Sequence, residues 1–158
     1  MKLYLMRHGD AVDGFDDVAR PLSAQGLLEA ENAGRFLARI REVPDAVCHS
    51  PLLRSRQTAE AVARVLALRD ALRECAGIAP DDDPEYFARE PLSFGQRDGV
   101  LVVTHQPFVS ELASLLLAGE RGVEMKFTTG SIAGFERHAS YGCWTLRFHI
   151  TAKAMARL

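Results

Sequence analysis

Four residues have the types and the placing to do chemistry together. Arg7 and His8 end the apolar run "LYLM" and are followed by Gly9, Arg54 lies in "SPLLRSRQTA", and His105 ends "GVLVVTH". A planar guanidinium fork matches phosphate oxygens and stays charged, so two arginines aimed at one crevice suit a phosphoryl group. Imidazole adds what arginine lacks, nucleophilicity at neutral pH. If His8 attacks phosphorus in line, the arginines would depress its pKa and keep it neutral, and its second ring nitrogen would need an acceptor to fix the tautomer. Gly9 allows the backbone to fold back and supply such a carbonyl. His105, protonated, would neutralise charge developing on the equatorial oxygens.

These side chains can cooperate only if the fold brings them together, and the periodicity says how. Leu3 to Met6 is a short apolar strand. Ser23 to Ile40 then carries Leu27, Ala30, Ala33, Leu37 and Ile40 at helical spacing, with Ser23 placed to cap the first turn. Asp45 to Ser50 predicts a second strand and Leu52 to Leu66 a second helix, with Ala59, Val62 and Leu66 on one face. Residues 76 to 98 are rich in loops, with prolines, glycines and the acidic run Asp81, Asp82 and Asp83 around one short helix near Glu85 to Arg89. Gly99 to His105 is the strongest strand signal. Pro107 suits the first turn of a helix carrying Phe108, Leu112, Leu115 and Leu116. "SIAGFERH" and "CWTLRFHI" predict two strands joined by a turn at Ser140 to Gly142.

Alternation of this kind implies one α/β domain over residues 1–158, a three-layer sandwich with a mostly parallel central sheet, helices on both faces and antiparallel C-terminal strands. In such sheets ligands bind beyond the carboxyl ends of the strands. Arg7 and His8, the segment from His49 to Arg54, and His105 all follow strands, so they should meet on that edge.

Composition narrows the classes. The chain has 158 residues, 47% hydrophobic and 25% charged, which suits one soluble domain with a real core. A formal net charge of -2 gives no general attraction to nucleic acid or an anionic membrane, so an anion must be held by locally clustered cations. No stretch reaches membrane-spanning length and the first residues lack the order of a signal peptide, so the cytoplasm is the expected compartment. Cys48, Cys75 and Cys143 are odd in number and widely spaced, which argues for reduced, mostly buried thiols rather than disulfides or a zinc site.

"LYLMRHGDA", "RPLSAQG", "SPLLRSRQTA" and "VLVVTHQP", in this order over nearly the whole chain, resemble the histidine phosphatase superfamily, and within it the small SixA-type phosphohistidine phosphatases. The resemblance implies that Arg7, His8, Arg54 and His105 form the phosphate pocket with His8 as the phosphorylated nucleophile. It also implies a reaction through a phosphohistidine enzyme intermediate that needs neither cofactor nor metal.

Other residues carry two readings. Asp10 follows the motif, and Arg20 in "RPLSAQG" has the means to lean toward the pocket, each with a structural role as the plainer alternative. Thr128, Thr129 and Ser131 precede a strand where their hydroxyls would line the crevice or form a turn. We take Gly9, Arg20 and Thr129, with Arg7 and Arg54, as candidates for holding substrate. Gln57 and Thr58 are expected to pack the second helix. His49, His138 and His149 match no motif and lack the close spacing of a zinc site.

The leaving group bears on the substrate. An alkoxide needs a proton in the transition state, and larger relatives supply it from a glutamate that does not align here. Imidazole leaves more readily. A short, loop-poor chain also suits an open crevice that admits a phosphohistidine presented by another protein, such as a histidine phosphotransfer domain or a phosphocarrier. The alternatives are a phosphatase of small phosphate monoesters, with an acid from Asp81 to Asp83, and a non-catalytic phospho-binding module.

Overall fold

The computed structural model describes residues 1–14, 16–89, 98–140 and 142–158. Six strands form one mixed sheet: β1 (Lys2–Arg7), β2 (Ala46–His49), β3 (Leu72–Glu74), β4 (Gly99–Thr104), β5 (Ile132–Arg137) and β6 (Trp144–Ile150), in the order β3-β2-β4-β1-β5-β6. The first four in that order run parallel, β5 pairs antiparallel with β1, and β6 antiparallel with β5. The helices are α1 (Ala24–Arg39), α2 (Leu53–Val65), α3 (Pro84–Arg89), α4 (Phe108–Ala118) and α5 (Ala152–Met155). A 3-10 turn at Asp17–Ala19 precedes α1.

The central strands are apolar throughout because both of their faces are covered. Alternate residues of β1 and β4 enter two different cores. Leu3, Leu5, Val100 and Val102 pack with Phe108 and Leu112 of α4 and with Phe87 of α3. Tyr4, Met6, Leu101 and Val103 pack with Ala33 and Leu37 of α1, Ala59 and Val62 of α2, and Met155 of α5. The result is the three-layer sandwich expected, with α1, α2 and α5 on one face and α3 and α4 on the other.

Several local expectations are corrected. On α1 the buried face is Gly26, Glu29, Ala30, Ala33, Gly34 and Leu37, whereas Leu27 and Ile40 are exposed. Small residues decide this face, since a Cβ on Gly34 would come within 2.9 Å of Val65 Cβ on α2. The two helices approach closely where there is no side chain. β3 escaped the sequence reading because three residues with no more than partial burial carry no usable periodicity. Pro107 stands just before α4 rather than in its first turn, and its carbonyl accepts from Ser110 and Glu111. Of the cysteines, Cys48 is buried, Cys75 is half-buried and Cys143 is exposed, because it precedes the outer strand β6. Of the turn expected at Ser140 to Gly142, Gly142 has φ +67 and its N–H donates to the His138 carbonyl at 2.9 Å, while Tyr141 lies outside the described residues.

Candidate active site

The register of the sheet assembles the site. Arg7, the last residue of β1, lies opposite Thr104, the last residue of β4, so His8 and His105 emerge side by side. Their rings stand 4.9 Å apart between centroids and are tilted by 50°. β2 ends at His49 one step away, and α2 begins three residues beyond Ser50, which places Arg54 in its first turn. All four of the residues singled out for chemistry meet at the carboxyl edge of the parallel strands, as the crevice rule for open α/β sheets requires.

His8 is held in one tautomer. Its Nδ1 lies 2.7 Å from the Gly9 carbonyl oxygen, so Nδ1–H donates and Nε2 keeps the lone pair. Arg54 Nε donates to that lone pair at 3.3 Å. Burial pushes the His8 pKa down to about 4. The Gly9 hydrogen bond opposes this, and the charges of Arg54, Arg7 and Arg20 add to it. The ring is therefore neutral at neutral pH, with one nitrogen pinned and the other nucleophilic.

The Gly9 carbonyl is the acceptor expected for the second ring nitrogen of His8. What its missing side chain provides is a close approach: a Cβ there would sit 2.5 Å from the Gly26 carbonyl oxygen, and a Cβ on Gly26 would sit 2.0 Å from the Asp10 oxygen. The loop after β1 presses onto the first turn of α1, and Gly9 N–H donates to Thr58 Oγ1 at 3.1 Å. Thr58 in turn donates to the Arg54 carbonyl at 2.7 Å, so one buried hydroxyl links the loop of the nucleophile to the helix of the arginine.

The arginines are partly committed and partly open. Arg54 is buried, with Nη1 donating to the Asp17 carbonyl at 2.6 Å and Nη2 to Asp17 Oδ2 at 3.2 Å. Arg7 Nη1 donates to the Phe127 carbonyl at 2.9 Å. Burial lowers the Arg7 pKa, Glu29 counters this, and Arg54 adds to the lowering. Arg20 Nη1 lies 3.9 Å from Asp17 Oδ1. The buried side-chain nitrogens without a partner among the described residues are Arg7 Nε, Arg20 Nε and His105 Nδ1, three atoms from the residues expected at the pocket. Buried polar groups are rarely left unpaired, and three together fit an anion as the missing acceptor.

His105 requires a correction. Burial, followed by the charges of His8, Arg54 and Arg7, pushes its pKa down to about 2, so the ring is neutral in the free pocket rather than protonated. Its Nε2 lies 2.5 Å from Ser50 Oγ. Ser50 is the first residue of "SPLLR", and that motif is the signal it carries in the sequence. Asp17 and the Phe127 carbonyl had none, because an exposed loop carboxylate and a backbone oxygen leave no mark in a pattern.

The remaining candidates are placed as follows. Asp10 ties the loop to α1: its N–H donates to Glu29 Oε2 at 2.9 Å and its Oδ2 accepts from Ser23 Oγ at 2.6 Å. Gln57 Oε1 accepts from Leu22 N–H at 2.7 Å. Thr129 lies in a turn where Thr128 and Ser131 pair their hydroxyls at 2.7 Å and Gly130 N–H donates to the His8 carbonyl at 3.0 Å. Asp82 Oδ2 accepts from Ala79 N–H at 2.6 Å, while Asp83 Oδ1 accepts from Glu85 N–H at 3.0 Å and pairs with Arg121. His49 is buried with Nδ1 at 2.8 Å from the Ser50 carbonyl, and His149 packs on Phe127. No group of three or more His, Cys, Asp or Glu residues able to hold a metal ion occurs among the described residues.

Comparison with known proteins agrees with this geometry. Residues 3–94 match the family model of the histidine phosphatase superfamily (branch 1). The chain is 32% identical over 136 residues to phosphohistidine phosphatase SixA of Escherichia coli (strain K12), covering 84% of this chain and 83% of that protein. A structure of the protein histidine phosphatase SixA complexed with tungstate superimposes with a TM-score of 0.86 at 30% identity, over 97% of this chain and 98% of that one. The α-ribazole phosphatase of Shigella flexneri shares the fold, with a TM-score of 0.73 at 19% identity over 96% and 97% of the two chains. By sequence and by fold, the chain belongs to the histidine phosphatase superfamily and is a phosphatase.

Proposed function

We propose that this phosphatase hydrolyses phosphohistidine carried on another protein, in two in-line steps. In the first, the His8 Nε2 lone pair attacks phosphorus, the bond between phosphorus and the substrate imidazole breaks, and that imidazole leaves with the electron pair and takes a proton from solvent. In the second, water attacks phosphorus, the bond to His8 breaks and inorganic phosphate departs. Arg7 and Arg54 hold the phosphoryl oxygens, and Arg20 stands beside them. Gly9 and Thr129 belong to the backbone frame around the oxygens.

The observation that carries the reading is His8 itself. It is a buried neutral imidazole with Nδ1 donating to a carbonyl at 2.7 Å and the Nε2 lone pair held only by a long contact of 3.3 Å from Arg54 Nε, which an arriving phosphoryl group would displace. The choice of substrate rests on the leaving group. Asp82 and Asp83 are engaged in a turn and with Arg121, which supports a reaction that does not draw a proton from them. The similarity to the phosphohistidine phosphatase of E. coli points the same way. A histidine phosphotransfer domain or a phosphocarrier is the partner we favour.

The test is a side-by-side assay on a phosphohistidine protein, a small phosphoramidate and a panel of sugar phosphates. The highest kcat/KM is expected on the phosphohistidine protein. A higher value on a sugar phosphate would replace this reading with a small-ester phosphatase.

A further inference from the structure

The hydrogen bond between Ser50 and His105 has no part in the two-step scheme. We propose that Ser50 is a positioning residue that sets the tautomer of His105, donating its hydroxyl proton to Nε2 so that the neutral ring carries its own proton on Nδ1 and offers it to a phosphoryl oxygen. This rests on reading the pocket as a phosphoryl site.

Proton bookkeeping supports it. Ser50 is fully buried, with Oγ 2.5 Å from His105 Nε2. The same Oγ accepts from Leu52 N–H at 3.4 Å. Among the hydrogen bonds of the described residues, the only acceptor available to the Ser50 hydroxyl is Nε2. Were the proton on Nε2, it would point at Oγ, the hydroxyl hydrogen would have no acceptor in a buried place, and Nδ1 would keep a bare lone pair, buried and without a donor. With the hydroxyl donating, every proton at Ser50 is used. What remains is Nδ1–H, buried and without a partner.

The position of the hydroxyl is fixed by both neighbouring elements. Ser50 N–H is shared between the Val103 carbonyl of β4 at 3.3 Å and Ser55 Oγ of α2 at 3.2 Å. Ser55 Oγ itself donates to Val103 O at 2.8 Å. Burial and the arginines keep the ring neutral, so the side of the ring that bears the proton decides whether His105 can donate. A serine placed this way lets a histidine act as a neutral donor where an imidazolium would be costly.

The experiment reads the tautomer directly. Protein labelled with nitrogen-15 in its histidine rings is examined by long-range proton–nitrogen correlation near neutral pH, with the His105 signals identified by their loss in His105→Asn. The wild-type ring is expected to be neutral with its proton on Nδ1. In Ser50→Ala the proton moves wholly or partly to Nε2, and kcat on a small phosphoramidate falls roughly ten- to a hundredfold with little change in KM, as for other groups that orient a reacting side chain. The His8 ring keeps its Nδ1–H form in both proteins. A wild-type His105 protonated on Nε2, or a Ser50→Ala ring still protonated on Nδ1, overturns the proposal. The wild-type spectrum depends neither on Ser50→Ala nor on a substrate, so it decides even if that variant does not fold. Failure of the phosphohistidine reading would show in the substrate panel and leave this spectrum unchanged.

Discussion

At the scale of the residue, the candidate site brings together two imidazoles that burial and neighbouring positive charge keep neutral. For His8 the pKa of about 4 sets the acid limb of kcat/KM, if that limb reports the free enzyme. The enzyme should stay competent down through pH 6.5, where an ordinary histidine titrates, and lose activity only as pH falls toward about 4. A limb centred near the ordinary value would contradict the buried, cation-flanked setting of His8. Stability has the matching sign. The unfolded chain takes up protons on His8 and His105 below their ordinary range while the folded chain does not, so stability is full above that range and declines as pH falls. Thermal unfolding across that interval should show the decline, and His8→Gln should make it shallower while the His105 share remains.

The four candidate residues were legible because their chemistry is written in their types. A histidine beside an arginine at a strand end, followed by an arginine in a first helical turn and a second strand-end histidine, reads as a candidate phosphoryl site. The protonation of His105 was not legible, since it depends on burial that no local pattern records. The partners of Arg54 were hidden for a related reason: Asp17 reaches it across a separation of 37 residues, half through a backbone carbonyl.

At the scale of the element, the site depends on a loop pressed against a helix end. Gly9 and Gly26 meet with no room for a methyl group, since a Cβ on Gly9 would lie 2.5 Å from a backbone oxygen that cannot move aside alone. Gly9→Ala should therefore cost about 1–3 kcal/mol of stability, the range for forced overpacking, and should also displace the carbonyl that fixes His8. Urea denaturation together with kcat measures both effects, and an unchanged stability would refute the close packing. The 3-10 turn at Asp17–Ala19 has a weaker hold. The exposed Asp17 carboxylate competes with an anion for Arg54, while its backbone carbonyl keeps the guanidinium in place. Asp17→Asn should tighten inhibition by inorganic phosphate by no more than about fivefold at low salt, and less at high salt, because exposed ion pairs are weak and screened. Loss of phosphate binding in this variant would instead make the carboxylate a necessary support.

The elements themselves were mostly readable. Continuous apolar runs mark β1 and β4 because both faces of these strands are covered, and Ser23 does cap α1, accepting from Gly26 N–H at 3.0 Å. The buried face of α1 was misplaced because its glycines pack by having no side chain, and hydrophobic spacing alone does not register that.

At the scale of the whole molecule, parallel pairing of β1, β2 and β4 gathers the ends of three strands at one edge and directs the reactive groups of distant segments into one pocket. The positive charge there comes from arginines, so a chelator should leave the rate unchanged, and a divalent ion that restored activity lost to EDTA would contradict this. Asp81→Asn, Asp82→Asn and Asp83→Asn together should barely slow hydrolysis of phosphohistidine, whereas a true general acid would be worth on the order of a hundredfold or more.

The most direct measurement is a rapid quench of the wild-type protein with a phosphohistidine protein labelled in its phosphoryl group. Covalent transfer to His8 predicts a labelled enzyme species that forms faster than turnover, survives base, is lost in acid, maps to His8 and is absent from a folded His8→Ala variant. Steady release of phosphate with no labelled enzyme at any time, or a His8→Ala variant that keeps near-normal turnover, would contradict it.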